Sequence, residues 1–126
     1  MLAGMRGLSG DDLLNRAVRL RGIRLGEAVD VILDDSASRV LGFDVLCGDG
    51  EHRFLPHPAA ELDGDGLAVR SALTLLDAGQ LAFYRERGAT LLELRGDGRG
   101  DIVLGADGSV EGWIADEERS AALPGV

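Results

Sequence analysis

Four residues within one short segment have side chains that bind metal ions in proteins: Cys47, Glu51, His52 and His57. A thiolate with two imidazoles would suit zinc. However, strand alternation puts Glu51 and His52 on opposite faces, and the sequence has no further cysteine or histidine. We therefore interpret these as ordinary strand and loop residues, with Cys47 as a small core residue. A small metal-dependent enzyme that uses Cys47, His52 and His57 is kept as an alternative.

Other patterns that could support catalysis or ion binding are incomplete. The sequence has no G-x-S-x-G elbow that would present a nucleophilic serine. The carboxylate pairs at 34–35 and 63–65 fall in turn-like segments, where solvated side chains are expected. Residues 97–101 (DGRGD) are similar to a calcium loop, but Arg99 stands at a ligand position. We predict no catalytic residues, no metal ligands and no cofactor.

The charge balance argues against nucleic acid as a general partner. The net charge is −9, and an acidic protein repels phosphate backbones. All 13 basic residues are arginines, and Arg16, Arg19, Arg21 and Arg24 lie close together in the sequence. We interpret this cluster as charge balance against the protein's own carboxylates, with an acidic partner or a phosphate as the alternative.

Composition predicts one globular domain, or two small units that share a core. The chain has 126 residues, 45% of them hydrophobic, with 19 glycines and 3 prolines, which suits short strands joined by tight turns. The single cysteine excludes an internal disulfide and favours a reducing cytoplasm. No apolar run approaches the roughly 20 residues of a membrane span.

The strongest structural signal is a hairpin over residues 25–47. Apolar residues recur with a period of two on both sides of a polar turn at 34–38. Both faces of this hairpin are apolar, so the second repeat, the N-terminal arm or another subunit must cover the second face. The two predicted faces are Val29, Val31 and Leu33 on one side, and Ile32, Val40 and Leu46 on the other.

Two helices and several short strands surround this hairpin. Ser9 and Asp12 form a capping-box pattern before a short helix over 11–16, with Leu8 and Leu13 placed for a hydrophobic staple. Strands are expected at 17–21, 51–55 and 67–70. Residues 71–79 (SALTLLDAG) predict a helix that Ser71 begins and Gly79 ends.

Sequence blocks recur in the second half of the chain. The DVIL of residues 30–33 returns as DIVL at 101–104, and VLGF at 40–43 returns as VEGW at 110–113. A third block, LRG at 20–22, returns at 94–96. Three matched blocks in the same order predict an internal duplication.

The first copy, with its VRLRGIRLGEAVDVILDDSASRVLGFDVL, HRFLP and ELDGDGLAV segments, resembles the PRC-barrel domain over residues 14–75. The residues that match the family pattern are Gly22, Leu25, Gly26, Val29, Asp30, Leu33 and Gly42. The resemblance implies a small closed β-barrel that docks other proteins without catalysis. The family includes the photosynthetic reaction-centre H subunit and the ribosome-maturation factor RimM. This chain departs from them in its degenerate second copy, and it lacks the H subunit's membrane helix and RimM's N-terminal barrel.

We therefore predict an all-β protein, with PRC-barrel-like barrels and short helices at the N-terminus and between the repeats. The predicted divisions are an arm with a short helix at 1–16, a first repeat at 17–79, a degenerate second repeat packed on it at 80–115 and an acidic tail at 116–126. The predicted function is a non-enzymatic interaction or scaffold module in a bacterial cytoplasm, with an unknown protein partner or a homodimer. A RimM-like ribosome or RNA-processing factor is the alternative.

Overall fold

The computed structural model describes residues 8–64, 66–96, 100–105 and 108–114. The predicted acidic tail at 116–126 and residues 1–7 of the predicted arm lie outside these ranges. The strands within them are β1 (Ala17–Leu20), β2 (Ile23–Leu33), β3 (Val40–Cys47), β4 (His52–Pro56), β5 (Glu61–Asp63), β6 (Gly66–Val69), β7 (Ala89–Thr90), β8 (Asp101–Leu104) and β9 (Val110–Ile114).

The helices are few and short. They are α1 (Gly10–Leu13), α2 (Ala78–Arg87) and α3 (Leu91–Gly96), with 3-10 helices at His57–Ala59 and Ala72–Thr74. Among the described residues, none of these helices has both the length and the apolar character needed to cross a membrane.

Most of the strands belong to one sheet that curls into a half-barrel. The order of its strands is β4-β3-β2-β1-β6-β5, and β7 also pairs with β2. Strands β1 and β6 run parallel, whereas the other neighbours are antiparallel. Strands β8 and β9 form a separate two-stranded sheet. The prediction of a mostly β, barrel-like protein is confirmed at this level, and a PRC-barrel remains a prediction.

Both sheets contribute to one main hydrophobic core. Side chains from α1, from the curled sheet, from α3 and from β8 meet in this cluster. Burial of this much apolar surface is the main stabilising term in a domain of this size. Its members with no exposed surface include Leu13, Val18, Val31, Leu33, Phe43, Leu55, Leu67, Leu91, Ile102 and Leu104.

The predicted central hairpin is present, and one carboxylate organises its turn. Strands β2 and β3 pair antiparallel over most of their length. Asp34 Oδ1 accepts hydrogen bonds from the backbone N–H groups of Ser38 (2.7 Å) and Arg39 (3.3 Å). Burial by itself would raise the pKa of Asp34, but the hydrogen bonds from Ser38, Arg39 and Ser36 outweigh it and lower that pKa.

Two β-bulges change which hairpin residues share a face. The register shifts between Ala28 and Asp30 and again at the end of β2, where Ile32 pairs with Gly42 and Leu33 with Val40. A bulge adds one residue to one strand and so breaks the alternation. The assignment of Val40 to the second face is therefore wrong, because Val40 packs in the main core.

The first bulge also separates Val29 from the face on which it was predicted. Val29 is half-buried and belongs to neither core cluster, and Leu46 is likewise half-buried and outside both. Leu41, the extra residue of the second bulge, packs against the buried cluster on the second face that contains Ile32.

Helix α2 covers the second face of the hairpin. Ile32, Phe54 and Leu81 form a second buried cluster, with Tyr84 packed against it. The rings of Tyr84 and Phe54 are stacked with centroids 4.4 Å apart. The second apolar face of the hairpin, which was expected to need a cover, is therefore covered by α2. This helix lies at the start of the segment predicted as a second repeat, 80–115.

The helix predicted over 71–79 is wrong in its position. Ser71 does act as a cap, but of the 3-10 helix Ala72–Thr74, where its Oγ accepts from the Leu73 N–H at 3.1 Å. Helix α2 begins near the predicted end, and Asp77 caps it by accepting from the Gln80 N–H at 3.1 Å. Gly79 therefore lies in the first turn of a helix and not at its C-terminus.

The predicted capping box at the N-terminus is confirmed. The Asp12 N–H donates to Ser9 Oγ at 3.2 Å, and the Ser9 N–H donates to Asp12 Oδ2 at 2.8 Å. The helix is shorter than predicted and ends at Leu13, because Leu14 is extended and Asn15 has a φ of 65°.

Candidate functional site

The three side chains of the metal-enzyme alternative, Cys47, His52 and His57, have separate surroundings. Cys47 ends β3 as a buried thiol, and His52 begins β4 with its Nδ1 2.7 Å from Asp44 Oδ1. His57 lies beyond the other end of β4, with its ring against Gly108. Across the described ranges, no three His, Cys, Asp or Glu side chains come together in a way that could hold a metal ion. Residues 97–99 of the calcium-like pattern lie outside those ranges.

Asp44 and His52 form a pair that the sequence did not indicate. Asp44 is 3% exposed on β3, and its Oδ2 lies 3.9 Å from Arg85 Nη1 of α2. A carboxylate on Nδ1 fixes the orientation of an imidazole, as in catalytic dyads. No hydroxyl or thiol of the described residues is hydrogen-bonded to His52. We therefore interpret the pair as a polar link between the sheet and α2.

Asp30 is a buried carboxylate that fastens α3 to the central hairpin. Its Oδ1 accepts from the Val31 N–H at 2.8 Å and from the Leu92 N–H, in the first turn of α3, at 3.2 Å. Desolvation raises the pKa of Asp30, while the hydrogen bonds from Leu92, Val31 and Thr90 oppose that rise. Its surroundings therefore make Asp30 a structural group.

Asp101 has the equivalent position on β8. Its Oδ1 accepts from the Ile102 N–H at 2.8 Å, and its Oδ2 accepts from the Asp11 N–H, in the first turn of α1, at 3.1 Å. Arg95 Nη2 lies 3.3 Å from Asp101 Oδ1 and 2.6 Å from Asp11 Oδ1. The two aspartates begin the blocks DVIL and DIVL, and each holds a helix from the other half of the chain. The duplication itself stays a prediction.

The arginine cluster divides into two groups: Arg16 and Arg19 are half-buried, and Arg21 and Arg24 are exposed. Arg16 donates to the backbone carbonyls of Asp12 and Gly64, so it serves as a structural tie. Arg21 and Arg24 lie instead at the turn between β1 and β2, where both are exposed. The Arg24 side chain is 61% exposed, and its guanidinium is 3.7 Å from Glu27.

Three segments meet beside this turn and enclose a groove of about 490 Å³. They are the start of β2, the β3–β4 turn with the first residues of β4, and the 3-10 helix Ala72–Thr74 with the residue after it. We call this the tip groove. It is lined by Arg24, Leu25, Cys47, Gly48, Asp49, Arg53, Ala72 and Leu75.

One wall of the tip groove is an ion pair. Arg53 donates through both terminal nitrogens to Asp49, at 2.9 and 3.1 Å. The hydrogen bond from Arg53 lowers the pKa of Asp49 to about 2, with the Glu51 N–H as the second cause. In turn, hydrogen bonds to Asp49 and then to Cys47 raise the pKa of Arg53. A cation therefore stands beside the only thiol in the chain.

Two strongly exposed apolar side chains adjoin residues of the tip groove. Ile23, next to Arg24, is 68% exposed, and Leu73, next to Ala72, is 88% exposed. Sequence analysis gave neither a role. Ile23 directly follows Arg21 and Gly22, and a glycine at this point indicates a turn that would leave the next residue near the surface. Leu73 gave no such indication, because it lay inside a segment predicted as a helix.

A second groove of about 360 Å³ lies where β4 meets α2. Tyr84 and Phe54 supply its aromatic surface, and the ring of His57 forms part of its lining. Arg39 is the one arginine among the residues that line this second groove, and the rest of the lining is mostly apolar.

Comparisons with known proteins do not assign this chain to a family. No model of a protein family matches the sequence, and no curated protein is significantly similar to it.

Proposed function

We propose that this chain is a non-enzymatic module that binds another protein, built on a PRC-barrel-related fold. The observation that carries the proposal is the amount of apolar side chain exposed to water. Among the residues that the structure describes, the large hydrophobic side chains exposed by at least 40% are Ile23, Leu73, Phe83, Leu92 and Trp113. Contiguous exposed apolar surface is typical of protein contact sites, and Ile23 and Leu73 both adjoin residues that line the tip groove.

Two further features support the proposal. Several titratable side chains are engaged in structural contacts: His52 with Asp44, and Asp30 and Asp101 with the helices that they hold. Cys47 is a buried free thiol, and we extend the proposal to a bacterial cytoplasm on this basis. The partner is either a different protein or a second copy of the chain.

Affinity purification and light scattering together test this function. The tagged chain, expressed in a bacterial host at low level, should either retain a partner at a fixed ratio or elute as a dimer. Crosslinking followed by mass spectrometry should then place the contact on exposed apolar residues. A monomer that retains no protein at low salt would contradict the proposal.

A further inference from the structure

We propose that the tip groove is a docking site for an acidic peptide segment with apolar side chains, presented by a partner protein. This inference rests on the proposed function, which it refines by naming the surface and the chemistry of the partner. The volume of the groove, about 490 Å³, lies within the range of clefts that bind ligands, about 300–1,000 Å³.

The floor of the groove is apolar. Leu25 and Leu75 are half-buried, and Cys47 is 9% exposed. These side chains offer a surface that an inserted leucine or phenylalanine would cover. Burial of such a side chain removes its apolar surface from water, which makes it an effective anchor.

The two most exposed large apolar side chains of the described residues extend this surface beyond the groove. Leu73 is 88% exposed and Ile23 is 68% exposed, and each is the sequence neighbour of a lining residue. A small ligand confined to the groove would leave both in water. A peptide that continues out of the groove could cover them, so the observations favour a peptide over a small molecule.

Guanidinium groups set the charge of the expected partner. Arg24 and Arg53 line the groove, and Arg21 lies in the adjacent turn. No ion pair of Arg21 is present within the described part of the chain. Arg24 is 3.7 Å from Glu27 and largely exposed, and such a pair contributes little, so this guanidinium is able to exchange partners.

Negative charge close by is already bound. Asp49 is the acidic residue of the groove lining, and Arg53 holds it through two hydrogen bonds. Glu51 belongs to the same turn but does not line the groove. In a chain with a net charge of −9, this surface therefore presents the exposed guanidiniums of Arg21 and Arg24 to carboxylates of a partner.

A phage-displayed library of random peptides, selected on the immobilised full chain, tests the inference. Selected peptides should be enriched in Asp and Glu together with Leu, Ile or Phe. Their affinities are then measured by fluorescence anisotropy for the wild-type chain and for variants. Raising the salt concentration should weaken binding, because exposed charges are screened.

Two tip variants and one matched control locate the site. The pairs Ile23→Ser with Leu73→Ser, and Arg21→Glu with Arg24→Glu, should each weaken binding by about tenfold or more. The control pair, Phe83→Ser with Arg87→Glu, removes an exposed ring and the guanidinium 4.0 Å above it on α2, and should leave affinity unchanged. Far-UV circular dichroism confirms that all variants fold, since each altered side chain is exposed.

The outcomes separate this inference from the proposed function. Enrichment of Lys- and Arg-rich peptides, the absence of enrichment, or equal binding by the tip variants would overturn the docking site. A partner crosslinked at Phe83 or Trp113, with no effect of the tip variants, would overturn it while the general function stands. Binding of single-stranded RNA at the tip more tightly than any selected peptide would overturn the peptide as the occupant.

Discussion

A carboxylate buried as deeply as that of Asp30 makes folding depend on pH. Burial raises its pKa above the 3.8 of an unfolded chain, so the native state holds this proton more tightly than the unfolded state does. The stabilisation is fully present below about pH 3.8 and is lost as the pH rises through the native pKa. Above the native pKa this proton-linked contribution is absent.

Two substitutions of Asp30 test this account. Asp30→Asn keeps an oxygen for the Val31 and Leu92 N–H groups, so it should remove this pH dependence with little loss of stability. Asp30→Ala leaves both donors without an acceptor and should cost about 1–3 kcal/mol. Urea unfolding measured over a range of pH checks both, with Asp35→Asn on the exposed turn as the control. An unchanged pH profile for Asp30→Asn would contradict the assignment.

The Asp49–Arg53 pair makes stability depend on pH in the opposite direction from Asp30. The pKa of Asp49 is lowered to about 2, so the pair stabilises the fold above the ordinary pKa of 3.8 and loses its effect as the pH falls through about 2. Both partners are exposed enough that the effect on overall stability is small. The useful measurement is therefore the titration of this one group.

Replacement of Arg53 by Gln should move the titration midpoint of Asp49 upward, toward its ordinary value. Carboxyl carbon chemical shifts, followed by NMR from low to neutral pH, report that midpoint directly. Arg70→Gln is the matched control, because Arg70 pairs with Glu61 at 2.9 Å and makes no contact with Asp49. A midpoint for Asp49 that stays near 2 in Arg53→Gln would show that another group lowers it.

At the scale of elements, helix α2 ends against the edge of the central hairpin. A Cβ placed on Gly88 would overlap the Leu33 carbonyl oxygen, which belongs to the backbone and cannot move aside without shifting β2. Gly88→Ala should therefore destabilise the protein by about 1–3 kcal/mol, the usual cost of overpacking.

Gly96 offers the matched control for this prediction. It ends α3, and nothing lies within 4 Å of a Cβ placed there. Gly96→Ala should be neutral or stabilising by up to about 1 kcal/mol, because alanine loses less entropy in a helix. Thermal unfolding of the two variants gives the comparison, and equal melting temperatures would contradict the close approach at Gly88.

Elements specified by local patterns could be predicted from the sequence. The period of two gave the β2–β3 hairpin, and the spacing of Ser9 and Asp12 gave the capping box of α1. The start of α2 was missed, because the apolar run before Asp77 was taken for the helix itself. Asp77, three residues before Gln80, was the cap signal that would have corrected it.

Features that depend on distant segments could not be predicted in this way. The bulges that place Val40 in the main core arise from pairing with other strands, and the parallel contact of β1 with β6 joins segments far apart in sequence. The tip groove needs three such segments to meet, so Ile23 and Leu73 gave no functional signal on their own. Register between remote strands is a property of the whole packing.

At the scale of the whole molecule, the two ends of the described chain hold each other. Helix α1 packs on β8, where Ser9 bridges Val103 and the Leu104 N–H donates to the Leu8 carbonyl at 2.8 Å. Helix α3 packs on β2 in the corresponding manner. Because each half supplies the helix that covers the other, we expect the chain to unfold as one cooperative unit and not as two repeats.

Truncation of Leu13 tests that cooperativity. This side chain is fully buried in the main core, so Leu13→Ala should cost about 2–5 kcal/mol. Hydrogen exchange should then show loss of protection in β2 and β3 together with β8, while the exposed substitution Trp113→Ser leaves all three protected. Loss confined to α1 and the β8–β9 hairpin would instead mean that the first half folds independently, since its central hairpin would keep its full stability without the N-terminal helix in place.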